Sequence, residues 1–145
     1  MAQFTILLFF ALSILLFSCK EKVEEKQSTV TSTISKIEVI DFHSTHRCVT
    51  CKAIESNAKY TVETYFADEQ KRGIVIFKTI NVDDDKNYAI AERFQAYGTA
   101  LFLNVIKDGK ETHIDLTDFG FSKAKNQEKF SIELKIKIEN ELKKL

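Results

Sequence analysis

Cys48 and Cys51 are separated only by Val49 and Thr50, and they stand where a strand pattern gives way to a helical one. A bridge across so short a loop removes little chain entropy from the unfolded state, so cysteines at this spacing serve chemistry rather than staple a fold. The flanks fix what surrounds them. Lys36 to Phe42 reads as a strand, with β-branched Ile37, Val39 and Ile40 running into Asp41-Phe42. A polar segment, His43-Ser44-Thr45-His46-Arg47, leads to Cys48. From Thr50 to Phe66, Ile54, Ala58, Val62, Tyr65 and Phe66 fall at helical spacing.

The pattern continues to the end of the chain. Lys71-Arg72-Gly73 breaks it, and Ile74 to Ile80 is a nearly continuous apolar run, as expected for a strand buried on both faces. Asn81 to Lys86 is an acidic turn suited to cap a helix from about Asp85 to Tyr97, which Gly98 is expected to end. Leu101 to Ile106 is a further strand, Lys107-Asp108-Gly109-Lys110 carries a hairpin signal, and His113, Asp115 and Thr117 alternate with Thr112, Ile114 and Leu116 on the return. In the last segment Phe130, Ile132, Leu134, Ile136 and Ile138 alternate as a strand would. Phe130, Leu134, Ile138, Leu142 and Leu145 also line one helical face, and the charged filling favours helix. The predicted order is β-α-β-α-β-β-α, an α/β mixed sheet with helices on both faces. Residues 36–145, about 110 in number, suffice for one such core.

The start of the chain reads as an address. Ile6 to Leu12 and Ile14 to Phe17 form an almost uncharged apolar stretch of secretory length, although Met1-Ala2-Gln3 carries no Lys or Arg. Leu16-Phe17-Ser18-Cys19 resembles the lipobox of bacterial lipoproteins. That resemblance implies a signal peptide over residues 1–18 and lipidation of Cys19, whose several acyl chains would give stable anchoring; an uncleaved signal anchor with Cys19 just beyond the membrane is the alternative. Residues 19–35, charged and then Ser/Thr-rich, read as a flexible tether. The expected location is extracytoplasmic, on a membrane facing the periplasm or at the outer membrane, where disulfides can persist. The formal net charge of +0 gives no basic face for nucleic acid, and with no proline and 4 glycines there is no Pro- or Gly-rich linker.

With its CxxC pair between the first strand and the first helix, the segment from Lys36 to Leu145 resembles the thioredoxin-like family. Ile40-Asp41-Phe42 matches the strand end before the dithiol, Cys48-Val49-Thr50-Cys51-Lys52 the dithiol itself, Ile80-Asn81-Val82-Asp83 the second strand's exit, and Lys107-Asp108-Gly109-Lys110 the hairpin. The chain departs from the family in having Arg47 rather than an aromatic residue before the first cysteine, and in a longer segment from Asp41 to Cys48. It also has no proline to supply the family's cis-proline. Thr99-Ala100 falls at that place, and its peptide is expected to be trans, since a non-proline cis bond costs roughly 3 kcal/mol. The Arg-Cys-x-x-Cys-Lys form, the histidines and the missing proline more loosely resemble the small thioredoxin-like subunits of nitroaromatic reductases associated with organoarsenical-resistance operons.

Cys48 would be the nucleophile, its thiolate favoured by a helix N-terminus, by Arg47 and by His46 when protonated. Cys51 would resolve the mixed disulfide formed at Cys48. The resemblance puts Asp41 where a buried carboxylate assists proton transfer at the second cysteine, and burial would raise its pKa; a solvated aspartate is the alternative. Arg47, Thr99 and Ala100 are candidates for substrate contact. His43 and His46 with the cysteines form a Cys₂His₂ set too tightly spaced for a zinc finger. Asp83-Asp84-Asp85 lacks the glycine and distal glutamate of a calcium loop. Phe66, Phe77, Phe94, Phe102, Phe119, Phe121 and Phe130 read as core rather than as a ligand platform.

The function expected is a membrane-anchored thiol–disulfide oxidoreductase, reductive rather than oxidising. Val49 and Thr50 lack the histidine often found between the cysteines of strong oxidants. It would act on a disulfide-bearing protein or small molecule, draw electrons from an upstream membrane thiol donor, and need neither cofactor nor resident metal. The alternatives are a protein whose dithiol chelates Zn²⁺ or trivalent arsenic, an electron-transfer subunit of a nitroaromatic reductase system, and a non-catalytic thioredoxin-like interaction domain.

Overall fold

The computed structural model describes residues 35–145; the signal peptide expected over residues 1–18, the expected lipidation of Cys19 and nearly all of the expected tether lie outside the described residues. Strand β1, Lys36–His43, is buried from Ile37 to Phe42 on both faces. It runs parallel to β2, Val75–Asn81, with Ile37 opposite Val75 and Phe42 opposite Ile80. On its other side it runs antiparallel to β3, Ala100–Lys107, with Asp41 opposite Leu101. Strand β4, Lys110–Asp115, returns along β3 and completes a four-stranded sheet of order β2-β1-β3-β4. In the turn between them Asp108 (φ 50°) and Gly109 (φ 76°) both take left-handed backbone, as a tight two-residue hairpin requires. The parallel pairing of β1 with β2 needs a crossover, which helix α1 (Val49–Tyr65) and a short helix α2 (Ala67–Lys71) supply.

Alternation along β1 divides the core. Ile37 and Val39 face a layer built from Ile54, Ala58 and Val62 of α1 and Phe130, Leu134 and Ile138 of the last helix, α5 (Gln127–Leu142). Ile40 and Phe42 face the other way, onto Ile80, Phe102 and Phe94. Phe94 closes helix α3 (Tyr88–Phe94), and the Phe42, Phe94 and Phe102 rings lie with centroids 5.2, 5.8 and 5.3 Å apart. Helices therefore cover both faces of a mixed sheet, which is a thioredoxin-like α/β fold.

Burial explains why the last segment is helical. Phe130, Leu134 and Ile138 recur every fourth residue and are fully buried, each worth about 1.5–3 kcal/mol. Ile132 and Ile136, which complete the strand-like alternation, remain 46% and 49% exposed. The Asn126 side chain caps the helix by accepting the Lys129 N–H at 2.9 Å.

Some boundaries differ from those read in the sequence. The helix expected over Asp85–Tyr97 begins as a 3₁₀ turn, Asp85–Asn87, and stops at Phe94. Gln95, not Gly98, ends it by taking left-handed backbone (φ 54°) and donating its N–H to the preceding turn. The returning strand ends at Asp115, whose carboxylate accepts the Thr117 N–H at 2.8 Å and opens an additional helix α4, Thr117–Lys123. Phe121, expected in the core, lies on this helix and is 42% exposed.

Candidate redox site

Helix α1 begins at the dithiol. Cys48 is its N-cap residue, with extended backbone, and its Sγ accepts the Cys51 backbone N–H at 3.0 Å. The two cysteines are joined as a disulfide, with Cα atoms 5.1 Å apart. Cys48 is exposed and Cys51 half-buried, so Cys48 is the more accessible of the two to a partner sulfur. Negative charge on Cys48 would meet the unpaired N–H groups and the positive end of the helix.

Beneath the helix lies Asp41, on the same face of β1 as Ile37 and Val39 and completely buried. Burial pushes its carboxyl up to about 7; Arg47 opposes this and Glu55 reinforces it. One oxygen, Oδ2, accepts from Arg47 Nη2 at 3.1 Å, while Oδ1 has no hydrogen-bond partner among the described residues. A carboxylate with one unsatisfied oxygen in a dry interior is costly, and the neutral acid avoids that cost. No family model, curated protein or solved structure matches this chain. The site stands on its own chemistry.

Arg47 does not extend toward solvent. Its side chain is 14% exposed and its guanidinium holds Asp41, the Glu55 carboxylate, and the Cys51 carbonyl oxygen at 3.3 Å. One cation thus ties the carboxylate under the helix to the backbone of the second cysteine. Glu55 was not singled out from the sequence. The available signal was its position one turn after Cys51 on α1, which puts both on one side of the helix.

The segment between β1 and α1 is fastened to the loop after β2. The Thr45 N–H donates to Asp83 Oδ2 at 2.7 Å, and Asn81 Nδ2 donates to Thr45 Oγ1 at 3.1 Å. Asp83 and Asn81 therefore brace the approach to the dithiol. Thr99 and Ala100 reach the same end of the sheet, where Ala100 opposes Phe42 in register. No peptide bond among the described residues is cis. Both residues line a cleft of about 820 Å³ on the α3 side, with Phe94, Tyr97, His113 and Asp115, and neither cysteine lines it.

His43 Nδ1 lies 3.1 Å from the Ser44 carbonyl oxygen, and His46 is exposed. Among the described residues no group of three or more His, Cys, Asp or Glu side chains is placed to hold a metal ion. A bridging CxxC pair at a helix N-terminus above a buried carboxyl is compatible with a redox dithiol.

Proposed function

We propose that this protein is a thiol–disulfide oxidoreductase that reduces disulfides outside the cytoplasm, held to a membrane through Cys19. The observation that carries the reading is the exposed Cys48 at the N-cap of α1, paired with half-buried Cys51 above the buried carboxyl of Asp41. In the reduced protein the Cys48 thiolate attacks a substrate disulfide. One substrate sulfur leaves as a thiolate, and the other is bonded to Cys48. Cys51 then gives its proton to Asp41 and attacks Cys48 Sγ. The substrate's second thiolate departs and takes up a proton, leaving Cys48 and Cys51 joined. Two electrons have passed to the substrate. A dithiol donor restores the protein by the same exchange in reverse; in an oxidising compartment that donor is a membrane thiol relay or a partner reductase.

The neutral Val49-Thr50 pair supports the reductive direction. The looser likeness to nitroaromatic reductase subunits suggests a setting in which this dithiol passes electrons to a partner enzyme. The test is a redox titration of the full chain in dithiothreitol and glutathione buffers, beside Cys48→Ala. A reversible two-electron couple lost in the variant supports the proposal, and its potential distinguishes reductant from oxidant. Absence of any accessible couple overturns it, and stoichiometric Zn²⁺ or arsenite binding would then be measured instead.

A further inference from the structure

The arrangement of charge around Asp41 is unusual in one respect: a single cation serves two carboxylates. Arg47 Nη1 meets Glu55, and Nη2 meets Asp41. Glu55, 28% exposed, neutralises the guanidinium from the solvent side. With Asp41 protonated the three side chains sum to zero; ionising Asp41 places an uncompensated negative charge in the interior. The cation that would otherwise fix Asp41 as an ion-paired carboxylate is already engaged.

We infer that Arg47 and Glu55 are positioning residues for the resolving step: Glu55 holds the Arg47 guanidinium so that Asp41 stays free to exchange a proton with Cys51. This rests on the oxidoreductase reading above. In the step they control, the Cys51 S–H proton passes to an Asp41 carboxylate oxygen, the Cys51–Cys48 S–S bond forms, and the bond from Cys48 to the substrate sulfur breaks. Oδ1 of Asp41, buried and without a partner, is the oxygen free to take that proton. Arg47 Nη2, bound both to Asp41 Oδ2 and to the Cys51 carbonyl, sets the carboxyl against the turn that carries the thiol.

In the disulfide-bonded form no other charge intervenes; in the reduced form the Cys48 and Cys51 thiols also titrate beside Asp41. Asp41 is flanked in the sheet by Thr79 of β2 and Leu101 of β3, neither of them titratable. The charged groups acting on it are Arg47, from the segment before α1, and Glu55, from α1 itself. Lys78 and Glu38 pair with each other on the opposite face of the sheet.

Removing either partner should therefore act in opposite senses. Glu55→Gln leaves the whole guanidinium to Asp41 and makes it more acidic. Arg47→Gln leaves Asp41 buried with Glu55 and no cation, and makes it less acidic. The experiment follows the Asp41 carboxyl by ¹³C NMR in the full chain, assigned through Asp41→Asn, and the pH profile of insulin reduction driven by dithiothreitol. The expected result is a midpoint moved down in Glu55→Gln and up in Arg47→Gln, by about one pH unit or more in each. The rising limb of the reduction profile should follow, and Arg47→Lys should restore both toward wild type. Midpoints unmoved, or moved in the same sense, overturn the inference, as does a limb that ignores a moving midpoint. A wild type that fails to reduce insulin overturns the oxidoreductase reading itself. That result is distinct from a working wild type whose variants titrate alike.

Discussion

Arg47 Nη2 lies 3.1 Å from Asp41 Oδ2, beneath the helix that begins at the dithiol, and the same nitrogen lies 3.3 Å from the Cys51 carbonyl oxygen. The residue before the first cysteine is therefore turned into the protein, where it links the acid of β1 to the turn that carries Cys51. The charge that the sequence places beside Cys48 is engaged below it.

The buried acid makes stability depend on pH. Asp41 has its folded value raised from an ordinary 3.8 to about 7, so its stabilising contribution is complete below 3.8 and is lost as pH rises through about 7. Asp41→Asn resembles the protonated form and escapes this loss. In urea unfolding at pH 8 the variant is expected to be more stable than wild type by a few kcal/mol, on the order of the shift converted to energy. The gap should narrow toward pH 4. An equal gap at pH 4 and pH 8 would mean that Asp41 is not the titrating group.

On the other face Glu38 behaves in the opposite sense. Burial would raise it, but hydrogen bonds from Lys36, Lys78 and Asn104 outweigh burial and hold it below its ordinary 4.5. Its contribution is present above 4.5 and is lost as pH falls through the lowered folded value. Glu38→Gln is expected to cost about 2 kcal/mol at pH 7, with the cost disappearing in acid. Thermal melts of both proteins at pH 7 and pH 3 check this.

The phenylalanine cluster beneath α3 is core rather than a ligand platform. Phe94 is buried against Phe42 and Phe102, with the His113 ring stacked on it at 3.8 Å. Phe94→Ala should cost about 3–5 kcal/mol in chemical denaturation. The reduction potential of the Cys48–Cys51 pair, which lies across the sheet, should stay at its wild-type value. A changed potential with little loss of stability would reverse that assignment.

Much of this was legible in the sequence because the signals were local. The Cys48–Cys51 spacing, the β-branched residues before Asp41 and the Asp108-Gly109 turn each act through their own backbone. The C-terminal helix followed from the four-residue recurrence of Phe130, Leu134 and Ile138. Glu55 and the inward turn of Arg47 were not legible, because charged side chains on a helix or in the segment before it are ordinarily solvated; only the phase of α1 over Asp41 makes them partners. The end of α3 was misplaced because glycine is the usual left-handed C-cap, whereas here Gln95 accepts that backbone. The start of α4 was hidden because Thr117 continues the alternation of β4 by residue type, and only the Asp115 hydrogen bond turns the chain.

The central claim is that Cys48 is a reactive nucleophile and Cys51 its resolving partner. The most direct measurement is the alkylation rate of each cysteine in the reduced full chain as a function of pH, resolved by mass spectrometry. Cys48 is expected to alkylate rapidly well below the ~8.5 at which an ordinary thiol ionises. Cys51 should react slowly throughout, and Cys51→Ala should accumulate a stable mixed disulfide at Cys48. Two cysteines that react alike, with the ordinary thiol midpoint and no trapped adduct, would contradict the account.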